Sequence, residues 1–334
     1  MPIAIGINGF GRIGRYLVRL LADSTSVRVA AINARADNKT LAHILRYDSV
    51  HRIFNAAIDY DENGIIVNGR HIPVTRKPVG EIPWGAYGVD VAVETTGTVK
   101  DRTGLARHND SGAKKTIISA PANNVDATIV VGVNDHIYDP VNHSVLSNAS
   151  CTTNCLAPVA KVMHEAFGIK HGLMTTVHSV TMSQRILDGS HKDLRRARAA
   201  FESMVPTTTG AAKATTLVIP ELAGKLDGMS IRVPTPNVSL VDLTCELERD
   251  TSVDEINATL KAASEGSLKD IMGYTETPLV SVDYTGSTYA GVVDGLCTQT
   301  INKRLAKLIV WYDNESGFTN QLVRLLRMVG KKPV

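Results

Sequence analysis

Residues 3–14, IAIGINGFGRIG, decide the fold of the first part of the chain. The apolar run at 3–7 predicts a strand, and it leads directly into the turn Gly9-Phe10-Gly11-Arg12-Ile13-Gly14. Leucines then recur at helical spacing, and a second apolar run, VRVAAIN, occupies 27–33. This order of strand, glycine-rich turn, helix and strand, within about thirty residues, is typical of a βαβ unit in a parallel sheet.

The three glycines of this GxGxxG turn have separate physical roles. Gly9 permits a tight turn, Gly11 lets the backbone approach a pyrophosphate, and Gly14 lets the helix lie close to the strand. The helix N-terminus then offers free N–H groups and a partial positive charge to phosphates. An ordinary glycine-rich turn is the alternative, but the strand before it and the helix after it favour dinucleotide binding.

The second strand of the unit ends without the expected acidic residue. A carboxylate there normally accepts hydrogen bonds from the adenosine ribose hydroxyls, whereas this chain reads Ile32-Asn33-Ala34-Arg35. The repulsion that would exclude a 2′-phosphate is therefore missing, and Arg35 could attract one. Asn33 alone could instead serve an unphosphorylated ribose. We expect NADP to be accepted.

The pattern of apolar runs changes near residue 150. Before it, strand-like runs at 89–95, 115–119, 128–133 and 144–148 alternate with helical or loop segments, which indicates a mostly parallel sheet covered by helices. After it, longer runs suit a mixed or antiparallel sheet, at 173–180, 229–234, 239–248, 279–284, 290–295 and 306–313. Helices are predicted at 253–264 and in the tail, and 181–211 reads as a functional loop. We expect an α/β chain with an N-terminal Rossmann domain and an α+β catalytic domain.

Composition limits the class of protein. The chain has 334 residues, 43% of them apolar, and a net charge of +3 from 36 basic and 33 acidic residues. These values are typical of a soluble globular protein, give no basic patch for nucleic acid, and leave no membrane span or secretory leader. Four cysteines make no disulfide framework, so we expect a reducing, cytoplasmic location.

The stretch SNASCTTNC at 147–155 raises the question of what its two cysteines do. Zinc would need further ligands that the spacing does not supply, so no metal site is expected, and a disulfide four residues apart fits poorly. The pattern reads as strand, turn and helix, which places Cys151 at a helix N-terminus, where a thiolate is favoured, and makes Cys155 structural. An inert Cys151 is the alternative. His178 ends a strand-like run and could serve as its base, although spacing alone does not select it among ten histidines.

Several longer motifs together resemble the phosphorylating glyceraldehyde-3-phosphate dehydrogenase family. They occur in order along essentially the whole chain: INGFGRIGR, SNASCTTNCLAP, TTVHSVT, HKDLRRARAA, PTTTGAAKA, IRVPTPNVSLVDL and WYDNESG. The resemblance implies oxidation of glyceraldehyde 3-phosphate to 1,3-bisphosphoglycerate, with hydride transfer to NAD or NADP. It makes Cys151 the nucleophile and His178 the base, and it implies uptake of inorganic phosphate, for which arsenate is an analogue.

The resemblance also implies residues for each ligand. For the substrate phosphate and the attacking phosphate they are Ser150, Thr152, Thr181, Arg196, Thr209, Gly210 and Arg232. For the cofactor they are Gly9, Gly11, Arg12, Ile13, Gly14, Asn33, Ala34, Arg35, Lys77, Thr96, Gly97, Ser119, Ser190 and Asn314. Ala34 replaces an Asp that is common in NAD-preferring members. Gly189-Ser190 is similar to the NADP-using photosynthetic members, in which the serine reaches a neighbouring subunit's cofactor.

The resemblance further implies a homotetramer and a division of the chain. Residues 1–150 with 316–334 would form the dinucleotide-binding domain, and 151–315, including the 181–203 loop, the catalytic domain. Three other functions stay open: an erythrose-4-phosphate dehydrogenase, a binding protein on an enzyme scaffold, and a cysteine hydrolase. The threonine after His178 and the TTTG run favour phosphorolysis over the first, and the intact Cys–His pair argues against the second. The dinucleotide motif weakens the third.

Overall fold

The computed structural model describes residues 1–331, which divide into two compact units. The first unit contains Met1–Ile129, Asp135–Ala149 and the chain from Leu322, and the second contains Val130–Asn134 and Ser150–Gln321. The sequence predicts that the chain returns to the first domain at residue 316. Residues 332–334, the end of that predicted segment, lie outside the described residues. The difference arises because the start of the C-terminal helix bonds within the second unit, where Gln321 donates to the carbonyl of Thr288.

The first unit is built on a sheet with the order β3-β4-β5-β2-β1-β6-β7-β9-β8. Its strands are β1 Ile3–Asn8, β2 Val27–Asn33, β3 Ile58–Tyr60, β4 Gly64–Val67, β5 Arg70–Thr75, β6 Val91–Glu94, β7 Lys115–Ile118, β8 Ala127–Thr128 and β9 Val145–Ser147. The central strands are parallel, and antiparallel pairs join β3, β4 and β5 at one edge. Because parallel strands need crossovers, helices lie between them: α1 Arg12–Leu21, α2 Asn38–Arg46 and α3 Arg102–Asp110.

The second unit is built on a mixed sheet with the order β11-β12-β10-β13-β17-β15-β14, and β16 pairs with β17. Its strands are β10 Ile169–Ser179, β11 Val205–Thr208, β12 Leu226–Val233, β13 Ser239–Leu247, β14 Met272–Thr275, β15 Gly291–Asp294, β16 Gln299–Ile301 and β17 Leu305–Tyr312. Its helices are α4 Cys151–Phe167, α5 Ala211–Val218 and α6 Val253–Glu265, and α7 Ser316–Lys331 begins in this unit. Almost the whole of α4 is buried, so the helix that starts at Cys151 has a fixed place.

The predicted α/β fold class is confirmed, but two predicted strands are wrong. Of the apolar run 128–133, only Thr128 lies in a strand, β8. The chain then turns, and the side-chain oxygen of Asn134 accepts a hydrogen bond from the amide of Val130. The run 279–284 contains a 3₁₀ helix, Ser281–Tyr284. The carboxylate of Asp283 accepts a hydrogen bond from the amide of Val280 at the start of this helix. No helix within residues 1–331 has the length and apolar character needed to cross a membrane.

Candidate active site

The glycine-rich turn has the geometry of a phosphate cradle. Gly9 has a φ of 104°, a conformation that only glycine adopts readily, and a Cβ at Gly14 would lie 2.3 Å from the carbonyl oxygen of Gly9. A Cβ at Gly11 would meet nothing within 4 Å. The protein itself therefore does not require glycine at position 11, and the open space suits a ligand that approaches the backbone.

The start of α1 fits an anion. Its N-cap residue, Gly11, has no side chain and supplies no side-chain hydrogen bond to the first turn, which begins with Arg12 and Ile13. Amides at the positive end of a helix bind phosphate oxygens. The open space beside Gly11 and these amides together fit a dinucleotide pyrophosphate.

Asn33 is held by the backbone of Lys77. The Nδ2 group of Asn33 donates to the carbonyl of Lys77 at 3.0 Å and to Oδ1 of Asn8 at 2.8 Å, and its Oδ1 accepts from the Lys77 amide at 2.9 Å. Both amide hydrogens are thus used, and one lone pair of Oδ1 remains for a ribose hydroxyl. Next to it, Ala34 is buried and the Arg35 side chain is exposed.

The other expected cofactor residues of the first unit lie where strands β6 and β7 end. Thr96 and Gly97 follow β6, and Gly97 has a φ of 72° with open space where a Cβ would be. Ser119 follows β7 and donates through Oγ to the carbonyl of Glu94 at 3.1 Å. Carboxyl ends of neighbouring parallel strands are where α/β folds bind nucleotides.

Cys151 is the first residue of α4. Ser150 caps the helix by accepting from the amide of Thr153 at 3.0 Å, and the turn before it puts Ala149 at a φ of 56°. Cys151 keeps partial exposure, whereas the Cys155 side chain is buried against β17, with Sγ 3.8 Å from the carbonyl of Val310. All four cysteines are free thiols. Cys151 therefore stands at the N-terminus of α4, where the sequence predicts it, and Cys155 lies one turn further along and is buried.

His178, near the end of β10, lies against the sulfur. Its Nε2 is 3.5 Å from Sγ of Cys151, and its Nδ1 is 2.8 Å from the carbonyl oxygen of Ser179. The Ser179 carbonyl can only accept, whereas Nη1 of Arg232, 2.9 Å from the same Nδ1, can only donate, so these two contacts favour opposite tautomers of the imidazole. In the tautomer with the hydrogen on Nδ1, Nε2 presents its lone pair to the thiol. The pair is therefore arranged for transfer of a proton from sulfur to nitrogen.

Burial acts on the pKa values of both members of this pair. Burial raises the pKa of the Cys151 thiol, although Arg232 and the Thr152 hydroxyl act in the opposite direction. Burial, with the nearby charge of Arg232, lowers the pKa of His178 to about 3. The expected thiolate stays a prediction: burial of the sulfur opposes it, whereas the positive charge of Arg232 favours it.

Arg232 and Thr181 lie together beside His178. Nη1 of Arg232 is 2.9 Å from Nδ1 of His178, 3.2 Å from the carbonyl of Ser179 and 3.5 Å from Oγ1 of Thr181. The Nε atom of Arg232 is buried and has no hydrogen-bond partner among residues 1–331. A buried guanidinium N–H without a partner is costly, and a bound oxyanion would satisfy it.

Arg196 is distinguished by structure from the arginines around it. Its Nε donates to Oγ1 of Thr207 at 2.9 Å, and its Nη2 donates to the carbonyl of Thr208. Its charge contributes to lowering the pKa of His178, so it lies near the reactive pair. Arg198 is instead exposed and pairs with Asp188.

The remaining residues expected for the attacking phosphate flank the start of α5. Thr209 precedes Gly210, the N-cap of α5, which supplies no side-chain cap and has open space where a Cβ would be. Ser150 uses its Oγ as the cap of α4, and Thr152 bonds to Tyr312. The structure thus brings Arg196 and the β11–α5 turn together through Thr207 and Thr208, whereas it gives Ser150 and Thr152 local roles.

Tyr312 lies beside the reactive pair, and the sequence analysis did not name it. The Tyr312 hydroxyl lies 2.8 Å from both Thr152 Oγ1 and Thr176 Oγ1, and its ring meets the His178 ring edge-on at 5.9 Å. Tyr312 lies within the WYDNESG motif, two residues before Asn314, which was the only signal for it.

Asn314 and Ser190 differ in how firmly they are held. The Oδ1 atom of Asn314 accepts from the hydroxyls of Ser179 at 2.9 Å and Ser239 at 3.0 Å, so the orientation of its amide is fixed and Nδ2 remains to donate. Ser190, in the segment after β10, is exposed, and its carbonyl accepts from the Arg185 guanidinium. Its hydroxyl is not used in these bonds.

Comparisons with known proteins agree along the chain. Residues 3–102 match the family model described as glyceraldehyde 3-phosphate dehydrogenase, NAD binding domain, and residues 150–314 match its C-terminal domain. The glyceraldehyde-3-phosphate dehydrogenase of Geobacillus stearothermophilus is 56% identical over 333 residues, which cover 99% of each chain.

The chain belongs to the glyceraldehyde-3-phosphate dehydrogenase family. It is therefore an oxidoreductase that uses NAD(P). Two other members have similar coverage: glyceraldehyde-3-phosphate dehydrogenase 1 of Bacillus subtilis is 54% identical over 99% of each chain, and the Streptomyces coelicolor enzyme is 50% identical over 99% of this chain and 100% of its own.

Proposed function

We propose that the chain oxidises glyceraldehyde 3-phosphate to 1,3-bisphosphoglycerate, reversibly, with inorganic phosphate as co-substrate. The observation that supports this most directly is the 3.5 Å contact between Sγ of Cys151 and Nε2 of His178, with Nδ1 fixed by the Ser179 carbonyl. A nucleophile, a base and a group that orients the base are the elements of covalent acyl chemistry.

In the first step Cys151 attacks the aldehyde carbon. The thiol gives its proton to Nε2 of His178 as the sulfur bonds to the carbonyl carbon, and the imidazolium then passes that proton to the oxyanion, which gives the hemithioacetal. The amide of Cys151, at the start of α4, stabilises the oxygen on which charge develops.

The thioester forms next and is then cleaved by phosphate. Bound NAD(P) supplies the hydride acceptor, and His178 holds the hydroxyl proton that leaves as the carbon is oxidised. Phosphate attacks the thioester carbonyl, Cys151 leaves as thiolate, and the acyl phosphate is released. Arsenate has nearly the shape of phosphate and would enter the same site.

We assign the two anions to the two arginines. The orphaned Nε of Arg232, with Thr181 beside it, supports a site for the substrate's own phosphate. Arg196, Thr209 and the start of α5 at Gly210 support a site for the attacking phosphate, with Ser150 and Thr152 as further candidates. Planar guanidinium groups match tetrahedral oxyanions well.

We place the dinucleotide in the first unit and propose that NADP is used alongside NAD. Ala34 carries no charge, and the side chain of Arg35 is exposed. Both amide hydrogens of Asn33 are used within the protein, so Asn33 has none left to donate to a ligand. A 2′-phosphate would therefore meet a cation and no carboxylate at this position. Asn314, with its amide fixed, is the candidate for the nicotinamide carboxamide.

We also propose a homotetramer in which residues 181–203 meet a neighbouring subunit. Large apolar side chains of this segment are exposed, with 86% of Met182, 78% of Leu187 and 81% of Leu194 open to solvent. Apolar patches of this kind usually mark an interface. The four free thiols support a reducing compartment, the cytoplasm.

A kinetic matrix tests these proposals together. Turnover of glyceraldehyde 3-phosphate is followed at the nicotinamide absorbance band with NAD or NADP, each with and without phosphate. We expect turnover to depend on phosphate and to occur with both dinucleotides. Turnover without phosphate would indicate thioester hydrolysis and exclude phosphorolysis, and an overwhelming preference for NAD would contradict the NADP proposal.

A further inference from the structure

A row of polar side chains crosses the first sheet below the glycine-rich turn. Asn33, Asn8 and Glu94 are the last residues of β2, β1 and β6, and they lie directly opposite one another in the strand register. Asn8 and Glu94 are buried, and His108 and Trp84 are fully buried behind them. The row therefore connects the core of the unit to Asn33, the residue at the expected ribose position.

The direction of the hydrogen bonds from the Asn33 side is set by the backbone. Because the Lys77 amide can only donate and its carbonyl can only accept, Oδ1 of Asn33 must accept and Nδ2 must donate. Nδ2 of Asn33 then donates to Oδ1 of Asn8, and Nδ2 of Asn8 donates to Oε2 of Glu94 at 2.5 Å.

The direction from the core side is set by tryptophan. The indole Nε1 of Trp84 can only donate, and it lies 3.0 Å from Nδ1 of His108. The hydrogen of the imidazole is therefore on Nε2, which donates to Oε2 of Glu94 at 3.1 Å. Two chains of donors thus end on one carboxylate.

The other carboxylate oxygen of Glu94 holds the turn after β6. Oε1 accepts from the amide of Thr96 at 2.6 Å and from its hydroxyl at 2.5 Å. Although burial acts to raise the pKa of Glu94, the hydrogen bonds from His108, Thr96 and Asn8 hold it below its usual range. The ionised carboxylate of Glu94, which can only accept, therefore receives four hydrogen bonds.

We propose that Glu94 is a positioning residue for the dinucleotide, which fixes the Asn33 amide through Asn8 and the Thr96 turn directly. This inference rests on the proposed use of a dinucleotide. Glu94 has no place in the reaction itself, and its effect would be on cofactor affinity.

The argument depends on the carboxylate being an acceptor only. In Glu94→Gln, one of the two acceptor oxygens becomes an NH₂ group that faces donors. Asn8 could relieve this by turning its amide over, but it would then present Nδ2 to Nδ2 of Asn33. Asn33 cannot turn in response without opposing the backbone of Lys77. An NH₂ group in the place of Oε2 therefore opposes His108 and Asn8, and the mismatch passes to Asn33 if Asn8 turns. An NH₂ group in the place of Oε1 opposes the Thr96 turn, so no arrangement satisfies every donor.

The test compares Glu94→Gln with Asp90→Asn as the matched control. Asp90 precedes the same strand, β6, at its opposite end, where its carboxylate accepts from the Ala4 amide. The probe is ADP-ribose, which carries the adenosine ribose and the pyrophosphate but no nicotinamide. We expect its Kd to rise about tenfold or more in Glu94→Gln and to stay within about twofold in Asp90→Asn.

Further readouts separate positioning from simple destabilisation. Thermal unfolding compares the stability of both variants with that of the parent. At saturating dinucleotide, kcat of Glu94→Gln should stay within about threefold of the parent while KM for the dinucleotide rises. If Glu94→Gln does not fold, Asn8→Ala, which breaks the link to Asn33, should weaken ADP-ribose binding in the same direction.

The outcomes are distinct. An unchanged Kd in Glu94→Gln, or in Asn8→Ala where the former does not fold, overturns the inference, as does a loss of kcat without a loss of affinity. A parent protein that binds neither ADP-ribose nor dinucleotide would overturn the proposed function instead.

Discussion

Nη1 of Arg232 lies 2.9 Å from Nδ1 of His178, the ring nitrogen that does not contact Cys151. Both groups point at the carbonyl of Ser179, so a permanent positive charge is held against the imidazole. Burial and this charge keep the pKa of His178 at about 3. The imidazole of the free protein is therefore neutral near pH 7.

The first prediction concerns the reactivity of Cys151 in the free protein. Because burial raises the pKa of the thiol, the thiolate fraction should increase about tenfold for each pH unit between about 6 and 8. The rate of alkylation by iodoacetamide should follow it, measured by mapping the labelled peptide. A rate that is flat over this range would indicate a preformed thiolate–imidazolium pair. Cys155→Ala should leave the rate unchanged, since that thiol is buried.

The second prediction concerns stability against pH. The folded pKa of His178, about 3, lies below its unfolded value of about 6.5, so below pH 6.5 the unfolded chain binds a proton that the folded chain does not. This contribution to stability is present above pH 6.5 and is lost as the pH falls towards 3, at up to about 1 kcal/mol per unit. Denaturant unfolding of the parent and of His178→Asn at several pH values should show a shallower slope in the variant. Equal slopes would contradict the lowered pKa.

The third prediction separates two arginines of one segment. Arg196→Ala should raise KM for phosphate about tenfold or more, because the charge-assisted contact proposed for the attacking anion would be lost. Arg198→Ala removes the same charge from an exposed ion pair with Asp188, and KM should stay within about twofold. Initial rates at varied phosphate measure both. Equal effects would mean that only the general positive field of the segment matters.

The fourth prediction uses two buried tyrosines. Tyr312→Phe leaves the hydroxyls of Thr152 and Thr176 without their common hydrogen-bond partner, and it frees the ring that contacts His178. The free energy of unfolding should therefore fall by about 1–2 kcal/mol, and kcat should fall by up to about tenfold. Tyr284→Phe is the matched control, because the Tyr284 hydroxyl is buried without a hydrogen-bond partner among residues 1–331. Its loss should be neutral or slightly stabilising. The same fall in both variants would show that the Tyr312 bonds are not special.

The local elements of the fold were predictable because their signals are short-range. The βαβ unit was read from one strand, three glycines and one helix, and the structure has β1, α1 and β2 at those places. The run 128–133 was wrongly predicted as a strand because its side chains are apolar although the chain turns there. An apolar pattern indicates that a segment is buried, and it does not by itself indicate a strand.

The site was predictable only in part, since its relationships link distant positions. Spacing offered His178 as one candidate among ten, and Arg196 could not be told from its neighbours until its bonds to Thr207 and Thr208 were seen. The row from Asn33 to Glu94 joins residues sixty-one positions apart in the chain through strand register. Nothing in the local sequence at either position indicates it.

The open space at Gly11 separates folding from activity at one atom. Gly11 has a φ of −76°, which any residue can adopt, and an added Cβ would meet no protein atom within 4 Å. Gly11→Ala should therefore unfold at the same temperature as the parent yet crowd the space reserved for a pyrophosphate. One methyl group would then abolish catalysis without lowering the stability of the protein. Selection for stability would not remove a mutation at this position, whereas selection for catalysis would.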